Sequence, residues 1–408
     1  MRLGQLAGIA PSGLGPGHVR GFLRLRPERR SGPRMTARRW PFLAAAAGLC
    51  AFLAACGPPN RGGVDLARPV IGVKIYEAAA PFDGLFRQWR DLGVNTLFVS
   101  ETLARNRDFH AQAAANGLPL FVIFPVFQSP EAVKDDPGLA AVTAAGTPAR
   151  EEWVEFVCPA REDFLGRRVD ELRRIVADCD PYAVSLDFIR YFVFWEKVAP
   201  DRAPESLPQT CFCPVCLAGF EKEMGVRLPP ELPTTAEKAK WILGAHADQW
   251  TEWKCRVIAR AVERLASAAR RVKPAVKVNI HAVPWRRDDF GGAVKAVAGQ
   301  DMARLAPFAD FLSPMCYHHM VRQNPAWVHG VVMDLSGRTR AAILASTQVA
   351  EAYVEQALPP DEFRASVEEA LKPPSIGVVL WSWDALAKSP EKRGILKALA
   401  HWKETPIR

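Results

Sequence analysis

The sequence has no excess of basic residues outside its first 55 positions. Those 55 positions hold nine arginines, no lysine and a single acid, Glu28, and they account for almost all of the net charge of +9. The remaining residues contain 44 basic and 43 acidic side chains, so they are nearly neutral. A nearly neutral domain lacks the charged surface that binds a phosphate backbone, and we therefore expect no nucleic-acid partner.

Motifs of several common enzyme classes are also missing. The sequence contains no P-loop, nucleophile elbow or dinucleotide fingerprint. A doubly wound open sheet is the alternative fold, but a nucleotide-binding sheet needs a glycine-rich loop after its first strand, and none follows the apolar run at Val70. We expect no organic cofactor.

The N-terminal region has the pattern of an export signal. Two arginines after Met35 precede the apolar run 42–55, which is shorter than the ~20 residues that span a bilayer. The run ends in Leu-Ala-Ala-Cys56, which resembles the lipobox of bacterial lipoproteins and implies a lipid anchor on Cys56. A plain cleaved signal or an N-terminal membrane anchor is the alternative. No aspartate follows Cys56, which by the same resemblance favours the outer membrane.

These features divide the chain into four parts. We expect residues 1–34 to lie upstream of the true start, 35–55 to form the lipoprotein signal peptide, 56–69 to be a linker and 70–408 to fold as one domain. The linker contains the sequence Gly-Pro-Pro-Asn-Arg-Gly-Gly, whose composition does not pack. The predicted location is the cell envelope, on its periplasmic or surface face.

Eight short apolar runs recur through the folded domain and alternate with stretches of helical periodicity. Runs without polar alternation indicate strands buried on both faces, as in a parallel sheet covered by helices. Eight such alternations predict a (β/α)8 TIM barrel. The predicted strands are 70–76, 96–100, 118–125, 183–187, 276–281, 311–315, 341–345 and 376–381. The predicted helices are 82–92, 102–115, 162–178, 248–272, 301–306, 327–336, 361–371 and 391–402.

The fourth predicted strand ends in a carboxylate, Asp187. The C-terminal ends of barrel strands carry the active site, so Asp187 is the first catalytic candidate. Arg190 would orient Asp187 and keep it ionised, or the two would form an ion pair that only shapes the barrel mouth. A long connection follows, from Tyr191 to about Ala247, with aromatics, prolines and cysteines. Connections of this length are usually functional, and we interpret this one as a lid or side wall of the site.

The sequence around Asp187 resembles a known family. Leu186-Asp-Phe-Ile-Arg-Tyr191 is similar to the signature of the glycosyl-hydrolase-like barrels of the hypothetical glycosyl hydrolase 6 type. The likeness extends over about residues 70–390 and includes 153–159, the cysteine segment 211–216, Ser-Pro-Met-Cys-Tyr317 and Leu-Trp-Ser-Trp-Asp384. The resemblance implies a hydrolase of O-glycosidic bonds in a poly- or oligosaccharide.

Glycoside hydrolysis needs two carboxyls, one as nucleophile or base and one as acid. Asp187 suits the first role. Four acids follow strand ends and could fill the second, of which Asp384 and Glu101 stand closest to their strands; the others are Glu77 and Glu351. An acid in the first turn of a helix also has a purely local role. A barrel without a competent second carboxyl would be a non-catalytic glycan-binding lipoprotein, and this alternative stays open.

The cysteines predict a metal site. Cys211, Cys213 and Cys216 form a C-x-C-x2-C segment with the spacing of a structural zinc site. A remote cysteine joined to such a segment resembles the zinc cluster of glycoside hydrolase family 42 barrels, which implies Cys158 as the fourth ligand. Cys179 and Cys255 are alternative fourth ligands. Disulfide pairing is also possible, because the signal would send the chain to an oxidising compartment.

Aromatic and histidine side chains at strand ends supply candidate substrate contacts. Aromatic rings stack on the apolar faces of sugars, although many such rings pack in the core instead. Trp381 and Trp383, two positions apart in the predicted last strand, would face the same side. His318 and His319 would contact substrate hydroxyls, and a catalytic metal there lacks a supporting motif. The candidate binding residues are Arg190, Tyr191, Tyr76, Trp285, Tyr317, His318, Trp381 and Trp383.

Overall fold

The computed structural model of the protein describes residues 63–64 and 68–402. The predicted upstream segment, signal peptide and lipidation site at Cys56 lie outside these residues, as does most of the predicted linker. None of the helices in the described part is both long enough and apolar enough to cross a membrane.

Eight parallel strands close into a barrel, as the sequence predicts. The strands of the structure are β1 Val70–Ile75, β2 Thr96–Val99, β3 Leu120–Pro125, β4 Arg150–Glu151, β5 Val154–Glu155, β6 Ala183–Asp187, β7 Lys277–Ala282, β8 Phe311–Pro314, β9 Ala342–Gln348 and β10 Ser375–Trp381. The order around the barrel is β1-β10-β9-β8-β7-β6-β3-β2, and every neighbouring pair is parallel. The remaining two strands, β4 and β5, form a separate antiparallel hairpin. The fold is the predicted (β/α)8 TIM barrel.

The barrel closes between its first and last strands through a close backbone approach. A Cβ atom on Gly377 would lie 2.1 Å from the carbonyl oxygen of Val70, and the φ of Gly377 is +156°. Only glycine fits this position without moving the neighbouring strand. The sequence Ile376-Gly377-Val378 therefore allows the ladder between β10 and β1 to form.

Helices cover the outside of the barrel at every predicted position. The predicted helix 102–115 is split in two at Asn106, whose side chain accepts a hydrogen bond from the Phe109 N–H and caps the second part. The long connection after β6 holds two helices that the sequence analysis did not predict. The helices are α1 Asp83–Asp91, α2 Glu101–Arg105, α3 Arg107–Ala115, α4 Pro130–Asp135, α5 Glu162–Cys179, α6 Pro214–Met224, α7 Thr235–Ala245, α8 Ala247–Val272, α9 Ala293–Ala296, α10 Met302–Leu305, α11 Ala326–Ser336, α12 Pro360–Ala370, α13 Trp383–Ala387 and α14 Pro390–Trp402.

The inside of the barrel changes from apolar to polar along its axis. Side chains of a strand alternate between its two faces, so β6 directs Ala183, Ser185 and Asp187 to the same side. Ala183 belongs to an inner apolar cluster in which Phe98 stacks on Phe121 with centroids 4.5 Å apart. Ser185, two positions further along, is hydrogen-bonded to the polar side chains of His281 and Asn279. Asp187 follows at the C-terminal end, where the barrel opens.

Candidate active site

A chain of hydrogen bonds crosses the polar half of the barrel beneath Asp187. The Lys74 ammonium donates to the Tyr317 hydroxyl at 3.1 Å and lies 3.2 Å from Nδ1 of His281. The other ring nitrogen of His281 lies 2.8 Å from Oγ of Ser185, which also accepts a bond from Asn279. All of these side chains are buried. A buried network with its groups paired holds its members in one arrangement, so the floor of the barrel mouth is rigid.

The negative charge of Asp187 affects the pKa values of several groups around it. Burial lowers the pKa of Lys74 to about 8, and the negative charge of Asp187 opposes this shift. Burial and the Lys74 charge lower the pKa of His281 to about 3, again opposed by Asp187. Burial and the charge of Asp187 raise the pKa of Tyr76. His281 is therefore neutral near pH 7, whereas Lys74, with a pKa of about 8, keeps its charge there.

Asp187 is held by the backbone that follows it. Its side chain is 8% exposed, and one carboxylate oxygen accepts a bond from the Phe188 N–H at 2.8 Å. Phe188 has a φ of +48°, which a non-glycine residue adopts only when its surroundings enforce it. The chain therefore turns sharply after β6. The second carboxylate oxygen of Asp187 has no hydrogen-bond partner among the described residues.

Arg190 does not contact Asp187 directly. Its guanidinium is buried, donates to the carbonyl oxygens of Tyr191 and Val193, and lies over the rings of Phe156 and Phe188. Burial lowers its pKa, and nearby carboxylates oppose the shift. Within the described residues Arg190 forms no ion pair, so it fixes the loop after β6 and acts on the carboxylates only through its field.

The structure adds a carboxyl that the sequence analysis did not single out, Glu196. It lies in a one-turn 3-10 helix, Trp195–Lys197, and is 8% exposed. Burial raises its pKa to about 7 against the opposing charge of Arg190, and the charge of Asp187 adds to the increase. Its Oε2 atom has no hydrogen-bond partner among the described residues. The sequence signal was a lone acid within the aromatic run Phe192-Val-Phe-Trp-Glu196.

The two acids that the sequence favours as the proton donor, Asp384 and Glu101, lie in different settings. Asp384 stands in the first turn of α13, and burial raises its pKa while Lys388 opposes the shift. Its charge also acts on Tyr76, as that of Asp187 does. Glu101 begins α2 and forms an ion pair with Arg105, 2.7 Å away, which also binds Asp178. Glu101 is thus already paired, whereas Asp384 and Asp187 both act on the pKa of Tyr76.

The candidate aromatics divide into two groups. Tyr317 stacks on Trp381 with centroids 4.8 Å apart and lies against Trp195, directly before Glu196. Trp383 lies beyond the end of β10, in α13, and packs edge to face on Trp89. The prediction that Trp381 and Trp383 share one face of a strand is therefore wrong, because the strand ends between them.

Other predicted contact residues are directed into packed surroundings. Trp285 is 3% exposed and packs on Phe290, and Tyr191 is fully buried with the Lys254 ammonium over its ring. His318 is fully buried, and its Nε2 lies 3.0 Å from Oε1 of Glu362. Each of these three candidates already has a partner within the protein.

His319 shares the contact of His318 with Glu362. Its Nδ1 lies 2.9 Å from the same carboxylate oxygen, and its Nε2 lies 2.9 Å from the carbonyl of Gln356. Burial lowers the pKa of His318 to about 4, so it is neutral near pH 7. Both ring nitrogens of His319 and Nε2 of His318 are thus used in internal contacts, as expected of histidines that secure a loop.

Four cysteines meet at one point, as the sequence predicts. The sulfur atoms of Cys158, Cys211, Cys213 and Cys216 all lie within 4.8 Å of one another and are buried. Cys158 is 3.3 Å from Cys216, which exceeds the ~2.05 Å of a disulfide, and the described cysteines are free. Four converging thiols are the donor set of a closed structural zinc site, so these residues could hold a metal ion.

The fold is similar to solved glycoside hydrolases. The glycoside hydrolase domain of PgaB (BpsB) from Bordetella bronchiseptica matches with a TM-score of 0.60 and 13% identity, over 81% of this chain and 98% of that chain. The β-galactosidase of Marinomonas ef1 matches with a TM-score of 0.62 and 12% identity, over 82% of this chain and 59% of that chain. The β-galactosidase of Halorubrum lacusprofundi matches with a TM-score of 0.59 and 12% identity, over 83% and 58%.

No family model and no curated protein matches the sequence. At these identities the structural matches show the fold alone, and this chain spans under two thirds of the two galactosidases. The chain thus has the (β/α)8 barrel that these glycoside hydrolases share, with two buried carboxyls at the mouth of the barrel.

Proposed function

We propose that the protein hydrolyses O-glycosidic bonds of a poly- or oligosaccharide, with Asp187 as nucleophile or base and Glu196 as acid. The observation that carries this proposal is the contrast between two neighbouring buried carboxyls. Asp187 accepts the Phe188 N–H at the end of a barrel strand, whereas Glu196 has an oxygen that is buried without a hydrogen-bond partner among the described residues, and burial raises its pKa to about 7. In glycosidases, contrasting environments give the two carboxyls different pKa values, so that one acts as the acid and the other as the nucleophile or base.

The roles follow from the surroundings of each group. Because its pKa is raised to about 7, a large fraction of Glu196 is still protonated near pH 7 and can give its proton to the leaving oxygen of the substrate. Asp187 stands at the end of β6, where it can attack the anomeric carbon or activate a water. Trp381, which is half-buried, would offer its ring to a sugar, and Tyr317 would support that ring from behind. That Asp384 or Glu101 acts as the acid stays a prediction from the sequence. We favour Glu196 because its carboxyl is more deeply buried and forms no ion pair among the described residues.

We further propose that a zinc ion joins the four cysteines and has a structural role. When bound, a closed all-cysteine zinc site contributes folding energy and no reacting group. The support is the convergence of Cys158 with Cys211, Cys213 and Cys216. Export and a lipid anchor on Cys56 are proposed from the sequence of residues 35–56 alone.

The test is turnover by the full-length chain of a panel of polysaccharides and aryl glycosides, with Asp187→Asn beside the wild type. Release of sugar by the wild type and a loss of ~10³-fold or more in the variant would support the proposal. Glycan binding by both proteins without turnover would contradict hydrolysis and favour the glycan-binding alternative.

A further inference from the structure

Two exposed aromatic residues touch each other at the barrel mouth. Three large hydrophobic side chains are exposed in the described part of the chain, and two of them are Trp153 and Tyr353, at 38% and 37%. The indole N–H of Trp153 donates to the Tyr353 hydroxyl at 2.7 Å, across 200 residues of sequence. Trp153 lies in the turn between β4 and β5, and Tyr353 lies in the loop after β9. We call the two residues the aromatic platform.

The platform is fixed from below by two phenylalanines. Trp153 meets Phe188 and Phe194 nearly at right angles, with centroids 6.2 and 6.0 Å away. Tyr353 meets Phe194 in the same manner at 5.2 Å. Edge-to-face packing of this kind restricts each ring to one orientation. The exposed surfaces of Trp153 and Tyr353 are therefore held in place before any ligand arrives.

The backbone of this region is unusually distorted. Six non-glycine residues in the described part of the chain have positive φ, and three of them belong to or adjoin the platform. These are Glu152, Phe188 and Tyr353, with φ of 51°, 48° and 57°. Such conformations persist where the surroundings impose them, and they gather at binding and catalytic sites. Three of them in one cluster indicate a surface that is shaped for a ligand.

The platform borders the two proposed catalytic carboxyls. Phe188 directly follows Asp187, and Phe194 precedes Glu196 by two residues. Lys197 lies over the rings of Phe194 and Tyr353 and forms an ion pair with Glu152. The site thus continues outward from Glu196 as rigid aromatic surface with a charged rim.

We propose that Trp153 and Tyr353 form a sugar-binding subsite for a glycan residue beyond the bond that is cleaved. A ring with an apolar face and polar edges fits this combination of exposed aromatic surface, indole–hydroxyl pair and ion pair. The platform borders the two proposed catalytic carboxyls, which favours a ligand that is part of the substrate over a protein partner. The inference rests on the proposed function, because it assigns the ligand to the same glycan.

The test compares substrates of different length in the full-length chain. In Trp153→Ala we expect kcat/KM to fall about tenfold on oligosaccharides that reach the platform, which corresponds to about 1.4 kcal/mol and lies within the range of one aromatic contact. An aryl monoglycoside does not reach the platform, and its kcat/KM should be unchanged. Tyr353→Phe keeps the ring and should lose less than about threefold on the same oligosaccharides, because only the hydroxyl contact is removed. Met333→Ala, which alters the third exposed hydrophobic residue, is the control.

A binding measurement separates this inference from the proposed function. Titration of oligosaccharides into Asp187→Asn, with and without Trp153→Ala, by calorimetry needs no turnover. Binding weakened about tenfold by Trp153→Ala would support the platform even if the wild type hydrolysed nothing. Binding that Trp153→Ala leaves unchanged, an equal loss of kcat/KM on short and long substrates, or no binding to any glycan of the panel would overturn it.

Discussion

Lys74 and Tyr317, which are 243 residues apart in sequence, meet inside the barrel at 3.1 Å. Lys74 belongs to β1 and Tyr317 follows β8, so their bond spans the interior directly below Asp187. The same ammonium lies 3.2 Å from His281. One buried cation therefore serves two acceptors and lies within the field of the proposed nucleophile.

Removal of this cation should destabilise the barrel. In Lys74→Met, the Tyr317 hydroxyl and Nδ1 of His281 lose their donor while staying buried. An unsatisfied buried polar group costs about 1–3 kcal/mol, so we expect the free energy of unfolding to fall by at least that amount. Denaturant titration measures it, with the half-exposed Lys277→Met as control. Equal stability of Lys74→Met and wild type would contradict the role of Lys74.

Glu196→Gln tests the proposed acid. We expect kcat to fall by roughly 10²–10⁴ on substrates with a poor leaving group, because proton donation is lost. The loss should be much smaller on aryl glycosides whose leaving group needs no proton. Asp384→Asn and Glu101→Gln are matched controls. A larger loss in Asp384→Asn than in Glu196→Gln would transfer the acid role to Asp384.

The pH dependence of activity should also report Glu196. Its pKa is raised to about 7, and an acid catalyst works only while protonated. The kcat/KM of the wild type should therefore decline as pH rises through about 7. In Glu196→Gln this decline should disappear, because glutamine does not titrate. A decline that is unchanged in the variant would assign it to another group.

Stability should depend on pH through the same carboxyl. The folded state binds the Glu196 proton more tightly than the unfolded state, whose pKa is near 4.5. The stability of the wild type should therefore decrease as pH rises from about 4.5 to 7, by up to about 3 kcal/mol. Glu196→Gln should lack this contribution and gain stability relative to wild type above pH 7. Denaturant titration at several pH values measures the difference.

Metal analysis tests the cysteine cluster. We expect about one zinc per purified chain, bound by four thiolates. Cys158→Ser should lose the ion and lower the melting temperature, whereas Cys316→Ser, buried elsewhere, should keep the ion. If the purified protein contained no metal and had a disulfide among these cysteines, the result would favour disulfide pairing over a zinc site.

Sequence patterns were sufficient for the barrel because its strands are buried on both faces. Strand β6, for example, has apolar residues on the side facing the helices and, at Ala183, at the base of the interior, so it appears as an apolar run. The sequence pattern did not predict the hairpin of β4 and β5, because each strand has only two residues. Helices α6 and α7 were hidden by the prolines and cysteines of the long connection.

Less of the candidate site than of the barrel could be predicted from the sequence. Asp187 could be found because it ends a strand, whereas Glu196 lies in a loop, and its distinguishing property is burial among aromatic residues from distant segments. Trp153 and Tyr353 are 200 residues apart, and no local pattern relates them. The ring of Trp383 is turned toward Trp89 because the strand ends at Trp381, a boundary that an apolar run does not reveal.

The contact between Cys158 and Cys216 encloses the residues that carry both proposed catalytic carboxyls. The segment between them includes α5, β6 with Asp187, and the turn with Glu196. An ion that joins these cysteines would close a loop in the unfolded chain and reduce its conformational entropy over this segment. Metal uptake and assembly of the catalytic segment would then be one coupled folding event, although no metal ligand needs to touch the substrate.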